Sequence, residues 1–282
     1  MTTFQKKFDN EILSKTDFID SEVTKEFVKW LIPFIGGERN LEEIGLHYNG
    51  KYKNFIEAIE KYQWGKGEWK DKSFKNTFDR FNEWGKKLNA KNSTNDELLK
   101  ICIEILKWGG GAKLLNSNKK KLEKENLSDF FAKMNKILDR DKLAEIKISD
   151  LNSKYISSGF TKIYAALNEN FIMYDGRVGA ALCYLIRFYL QENNKFELPY
   201  ELVFGYGLAM GKQNRNPNSA ANKTILFKEI SSHRDIHFIS NIKANWLLEL
   251  IANQVTLPQI KEKEKIFALQ TALFVLGEDL PR

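Results

Sequence analysis

Residues 159–190 read GFTKIYAALNENFIMYDGRVGAALCYLIRFYL. Apolar residues fall at helical spacing on both sides of the polar break NEN. The spacing predicts a short helix from about Thr161 to Leu167, a connecting loop, and a long helix from about Gly176 to Leu190. Asp175 stands where a helix N-cap is expected, because its carboxylate can accept from the free amides of the first turn.

The rest of the chain follows the same pattern. Val23, Phe27, Trp30, Leu31 and Phe34 form one helical stripe, with Pro33 expected to bend that helix or end it early and Gly36-Gly37 to stop it. Stripes recur at 52–63 (Tyr52, Phe55, Ile56, Ile59, Tyr62) and at 70–88 (Phe74, Phe78, Phe81, Trp84). Thr94 and Glu97 form a capping box ahead of a helix that closes at Trp108, and Gly109-Gly110-Gly111 ends it. The polar stretch 116–126 reads as a solvated linker, and Ser128 as the cap of a helix over 127–138. Further helices are expected near 148–156, 199–210, 221–231, 236–253 and 258–276, with a polar, basic loop over 211–223. No strand series and no fixed-period repeat are visible. The expected fold is all-α, about ten or more helices, with an N-terminal helical region over 1–90 and a helical core over 91–282 that contains the segment 148–191.

Composition narrows the class. Among 282 residues, 43% are hydrophobic and 13% aromatic, which excludes disorder as a general description. The formal charge of +7 favours a polyanionic partner. Cys102 and Cys183 sit inside apolar patterns and read as free thiols of a reducing compartment. His47, His233 and His237 show no metal-ligand spacing, so neither a metal nor a cofactor is expected. The N-terminus lacks the apolar stretch of a signal peptide, and AALCYLI is too short to span a bilayer, so a cytoplasmic location is expected and no membrane partner.

Chemistry centres on Lys162 and Asp175, thirteen residues apart. An amine in the first turn of a short helix faces the positive end of the helix dipole, and partial burial acts in the same direction. Both favour the free amine, which is a nucleophile able to form a Schiff base. The carboxylate can orient that nucleophile, move a proton, or stabilise positive charge developing on a sugar. It can also simply cap its helix.

Gly159-Phe160-Thr161-Lys162-Ile163-Tyr164-Ala165, followed by Ile172-Met173-Tyr174-Asp175-Gly176-Arg177-Val178, resembles the helix-hairpin-helix DNA glycosylases. It is most similar to bacterial proteins of the 8-oxoguanine-glycosylase fold. ILKWGGG (105–111) and NIKANWLLELIAN (241–253) look like features of the same group. The resemblance implies a two-lobed helical assembly with a cleft, and a double-stranded DNA substrate carrying a modified base, such as an oxidised purine. Lys162 becomes the nucleophile for base excision and strand cleavage, with Asp175 as its partner. Gly159 belongs to the hairpin, where the family has a second glycine that this chain lacks. Thr161, Tyr174, Arg177, Trp108, Lys212, Arg215 and Trp246 are the expected substrate or DNA contacts, and Phe171 and Phe238 further stacking candidates. Two alternatives stand beside this reading: a DNA-binding protein of the same fold without catalysis, and an unrelated helical interaction protein.

Overall fold

The computed structural model describes residues 13–46, 52–65, 69–110, 112–138, 145–146, 155–169, 171–209, 211–219 and 224–281. They are mostly helical. In chain order the α-helices are α1 (Lys15–Asp20), α2 (Glu22–Gly36), α3 (Phe55–Glu60), α4 (Phe74–Leu88), α5 (Asn95–Trp108), α6 (Ala112–Leu122), α7 (Leu127–Ile137), α8 (Ser158–Leu167), α9 (Gly176–Glu192), α10 (Arg234–Ala252) and α11 (Lys265–Leu276). Two-residue strands β1 (Leu13–Ser14) and β2 (Glu145–Ile146) pair antiparallel, and β3 (Gly205–Tyr206) and β4 (Lys228–Glu229) pair parallel.

The central elements are α8 and α9. Every residue of α8 from Gly159 to Leu167 is buried, so this helix is enclosed on all sides, with Thr161 and Lys162 its buried polar side chains. It is packed by α4, α5, α6 and α7, whereas α9 is packed by α2, α11 and β3. Helix α10 lies on α1, α2 and α11, and α11 reaches across to α4. The connection 168–175 therefore carries the chain from one group of helices to the other. The described buried apolar side chains form one continuous cluster from Phe18 to Leu280.

Several elements differ from the sequence reading. Residues 116–126 are not a linker through most of their length: α6 runs to Leu122 because Asn118 and Leu122 are buried anchors on an otherwise lysine-rich helix. Helix α2 continues through Pro33 to Gly36 and ends at Gly37 with φ 84°; burial of Leu31, Phe34 and Ile35 around the proline holds the last turn against its helix-breaking cost. Asn126, not Ser128, caps α7. The helices expected at 199–210 and 221–231 do not form. Pro199 caps a single 3-10 turn, Tyr200–Leu202, and the chain then extends into β3, whose partner β4 lies in the second segment. The helix expected at 148–156 falls almost wholly outside the described residues. Among the described residues no helix is long and apolar enough to cross a membrane.

Candidate active site

Helix α8 starts at Ser158, earlier than the apolar pattern suggests, because Ser157 accepts the Phe160 amide and caps it at 3.2 Å. Lys162 consequently sits one turn inside the helix and not at its mouth. Its Nζ reaches back to donate to the Ser158 carbonyl at 3.1 Å and to Asp175 Oδ2 at 3.4 Å. Asp175 does two things at once. Its Oδ1 accepts the Arg177 and Val178 amides at 2.9 and 3.2 Å, capping α9, while Oδ2 faces the amine. The two side chains are 8% and 14% exposed, a nearly enclosed pair.

Burial pushes the Asp175 carboxyl up. The Lys162 ammonium, the two capping amides and the Arg177 guanidinium outweigh it and hold the group below its usual range, so it is a carboxylate at neutral pH. Gly109 leaves the space that the lysine stem needs: a Cβ there would stand 2.7 Å from Lys162 Cδ. The glycine run after Trp108 thus serves the site as well as ending α5.

The segment Phe171–Asp175 crosses the interior without secondary structure, and buried side chains pair its backbone. Asn245 accepts the Ile172 amide at 3.0 Å, Asn241 donates to the Ile172 carbonyl at 3.1 Å, and Gln270 accepts the Met173 amide at 3.0 Å. The Tyr174 carbonyl accepts from the Thr161 hydroxyl at 3.2 Å and from His237 Nε2 at 2.9 Å. A carbonyl only accepts, so Nε2 carries the hydrogen. Without these partners each buried backbone group would cost on the order of 1–3 kcal/mol. The clamp fixes the residue immediately before Asp175. His237, Asn241, Asn245 and Gln270 were absent from the residues expected at the site. The signal was a polar stripe at 237, 241 and 245, one helical turn apart on one face of α10.

Burial lowers the His237 imidazole to about 4, against smaller upward effects of the Tyr174 carbonyl and Asp175. The ring is neutral beside Lys162. Its folded value lies below the unfolded 6.5, so between pH 6.5 and 4 the unfolded chain takes up a proton that the folded chain refuses. Stability is expected to fall by about 3 kcal/mol across that window. Urea titrations from pH 7 to 5 check this; a flat profile in the wild type, or one unchanged in His237→Gln, contradicts it.

The other expected contacts separate into groups. Arg177 bonds Glu278 at 3.1 Å and lies over the rings of Phe274 and Trp64 at 4.6 and 5.1 Å. With Tyr52, Tyr62 and Gln63 it lines a cavity of ≈ 240 Å³. A cavity of ≈ 390 Å³ at the far end of α8, walled by Phe78, Phe81 and Phe267, takes in neither Lys162 nor Asp175. Thr161 acts on the clamp. Arg215 is half-buried and donates to the Glu278 carbonyl at 3.3 Å, while Lys212 is exposed.

Three expected aromatic contacts belong to the interior. Tyr174 is fully buried and donates to the Gly205 carbonyl at 2.6 Å. Trp246 is fully buried against Phe18. Trp108 is buried against Phe81 and donates from Nε1 to Asp71 at 2.8 Å. Phe171 and Phe238 are also buried. Gly159 is correspondingly a packing residue: a Cβ would meet Asn118 Nδ2 at 2.1 Å and Leu106 at 2.9 Å, so its backbone is not presented at the surface. Among the described residues no three His, Cys, Asp or Glu side chains converge as metal ligands would.

No family model, curated protein or solved structure matches this chain.

Proposed function

We propose that the chain is a DNA glycosylase with an associated lyase step, acting on double-stranded DNA that carries a modified base of the oxidised-purine kind. The observation that carries this reading is the 3.4 Å approach of Lys162 Nζ to Asp175 Oδ2 at a nearly enclosed junction. The junction lies where α8 with its surrounding helices meets α9 and its own, and DNA lies along this seam between two lobes. The target nucleotide leaves the duplex to reach the pair.

The chemistry balances on these two side chains. A proton passes from the Lys162 ammonium to Asp175 and on to the departing base. The freed amine attacks C1′ as the N-glycosidic bond breaks, and the carboxylate stabilises the positive charge that develops on the sugar. The C1′–O4′ bond then opens, O4′ takes a proton from the new C1′–N centre, and a protonated imine remains. The Asp175 carboxylate, free again after passing its proton to the base, takes a C2′ proton, and the electron pair left behind expels the 3′-phosphate and cleaves the strand.

Electrostatics fit a phosphate-rich partner. The charge is +7, and exposed lysines include Lys120 on α6, Lys107 beside Gly109, and Lys212. A second reading, DNA binding without catalysis, is favoured by the buried Gly159, which removes one hairpin contact from the resemblance.

Borohydride reduction of the protein with abasic-site duplex DNA, and with duplexes carrying a panel of oxidised and alkylated purines, tests the reading. A covalent protein–DNA adduct is expected. Salt-sensitive binding with no adduct on any substrate leaves the second reading; no salt-sensitive binding removes both.

A further inference from the structure

The cavity of ≈ 390 Å³ at the far end of α8 has no part in the base-excision reading. It lies beside the contact of α4 with α8. Gly85 lets the two helices touch, because a Cβ there would stand 2.4 Å from the Ala166 carbonyl. The small side chains of Ala165 and Ala166 leave the space open on the α8 side. The apolar wall is aromatic: the Phe267 ring lies 5.5 Å from Phe78 at 76° and 5.6 Å from Phe81 at 57°, so the three rings brace one another.

The polar lining divides into committed and uncommitted groups. Asn89 donates to the Gly85 and Leu167 carbonyls at 3.0 and 2.9 Å and accepts from Asn135 at 3.0 Å, which ties α4, α7 and α8 together. Asn82, Lys86, Glu169 and Lys263 also line the cavity, Asn82 half-buried and the other three exposed. Among the described residues, no side-chain hydrogen bond or ion pair engages any of these four. Two ammonium groups against one carboxylate leave the lining positive by a single charge.

A concave site with an apolar wall and a few convergent polar groups is the usual form of a small-molecule site. Aromatic rings favour a flat aromatic guest, the two lysines favour an anion, and Glu169 disfavours a second negative charge. We propose that this cavity binds a small planar aromatic monoanion of the aryl carboxylate class. The ring lies against Phe78, Phe81 and Phe267, the carboxylate turns to Lys86 and Lys263, and the Asn82 amide supplies a hydrogen bond. The inference is independent of the base-excision reading, because neither Lys162 nor Asp175 lines the cavity.

Calorimetric titration of the full chain with three probes of one ring system tests the site: 2-naphthoate, neutral 2-naphthylmethanol and cationic 2-naphthylmethylammonium. Naphthoate is expected to bind about tenfold tighter than the alcohol, since two solvent-facing charge pairs contribute modestly, and the cation to bind most weakly. The double variant Lys86→Gln/Lys263→Gln should bring naphthoate down to the level of the alcohol and leave the alcohol unchanged. Asn82→Trp, which puts an indole into the cavity from a half-buried position, should remove binding of both. Thermal melts show whether each variant is folded, and if Asn82→Trp is not, the double variant decides alone. No binding of naphthoate overturns the proposal. So does an alcohol that binds as tightly as naphthoate to the wild type, or a naphthoate affinity that the double variant leaves unchanged.

Discussion

Replacing Lys162 with alanine is expected to abolish the borohydride adduct, lowering its yield at least a hundredfold while salt-dependent DNA binding changes only a few-fold. The adduct requires a primary amine that can reach C1′, and Lys162 is the amine placed beside the carboxylate that serves it. Lys243, the other lysine buried among the described residues, is completely enclosed and bonded to two carbonyls.

Stability does not confound the result. Breaking a buried ion pair can cost about 3–5 kcal/mol when it strands a charge, but Asp175 keeps its two capping amides in the variant. A thermal melt separates loss of fold from loss of chemistry. Lys162→Met, which preserves the stem lying against Gly109, is the matched control and should be equally inert. An adduct that persists in both variants would assign the imine to another amine and remove the lysine–aspartate pair from the mechanism.

The Lys162–Asp175 contact was legible because both signals were local. Asp175 precedes a long apolar run, which is the pattern of a cap, and it caps α9. Lys162 lies in an apolar segment where a charged residue needs a partner. What surrounds them was not legible, because it arrives from distant parts of the chain. The amides of Ile172 and Met173 are satisfied from residues 73 and 97 positions away. Nothing in the periodicity of 241–253 says that Asn241 and Asn245 face a backbone rather than water.

The misread segments have a common cause. Residues 199–210 carry enough apolar side chains to suggest a helix, but Gly205 and Gly207 fit close backbone approaches that a helix would not allow. Residues 116–122 look solvated by composition, although two buried side chains decide their structure. Local pattern is a weak prior where tertiary contacts determine the backbone. The same limit applies to Tyr174, Trp108 and Trp246: aromatic identity suggested stacking on a base, whereas burial assigns each to the protein's interior.

Between pH 7 and 9 the protein is expected to become more stable by about 2–3 kcal/mol, with Lys243 as the source. Its side chain is 0% exposed. Nζ donates to the Val203 and Tyr200 carbonyls at 2.8 and 3.0 Å and faces the rings of Phe204, Tyr200 and Phe18. Burial lowers its pKa to about 7, with Glu201 and Cys183 acting weakly upward. The unfolded amine titrates near 10.5, so across the interval the unfolded chain binds more protons than the folded one and stability climbs with pH.

Deprotonation leaves two N–H groups for two carbonyls, so the folded state need lose no hydrogen bond as it sheds the charge. Above about pH 9 the direction reverses in part. Cys102 and Cys183, whose thiols burial pushes up, are ionised more readily in the unfolded chain. Guanidinium titrations at pH 7, 8 and 9 are therefore the informative measurements, and Lys243→Met should flatten the slope because the replacement keeps length and apolar volume without a proton. A slope that survives in Lys243→Met, or a wild type that is flat, rules out this lysine as the source. The carbonyls it holds belong to the turn that leads into Gly205 and Gly207, and those glycines pack on the start of α9. Loosening that turn at low pH therefore acts on the segment that braces Asp175, so the same titration should move the acidic edge of adduct formation along with the melting midpoint.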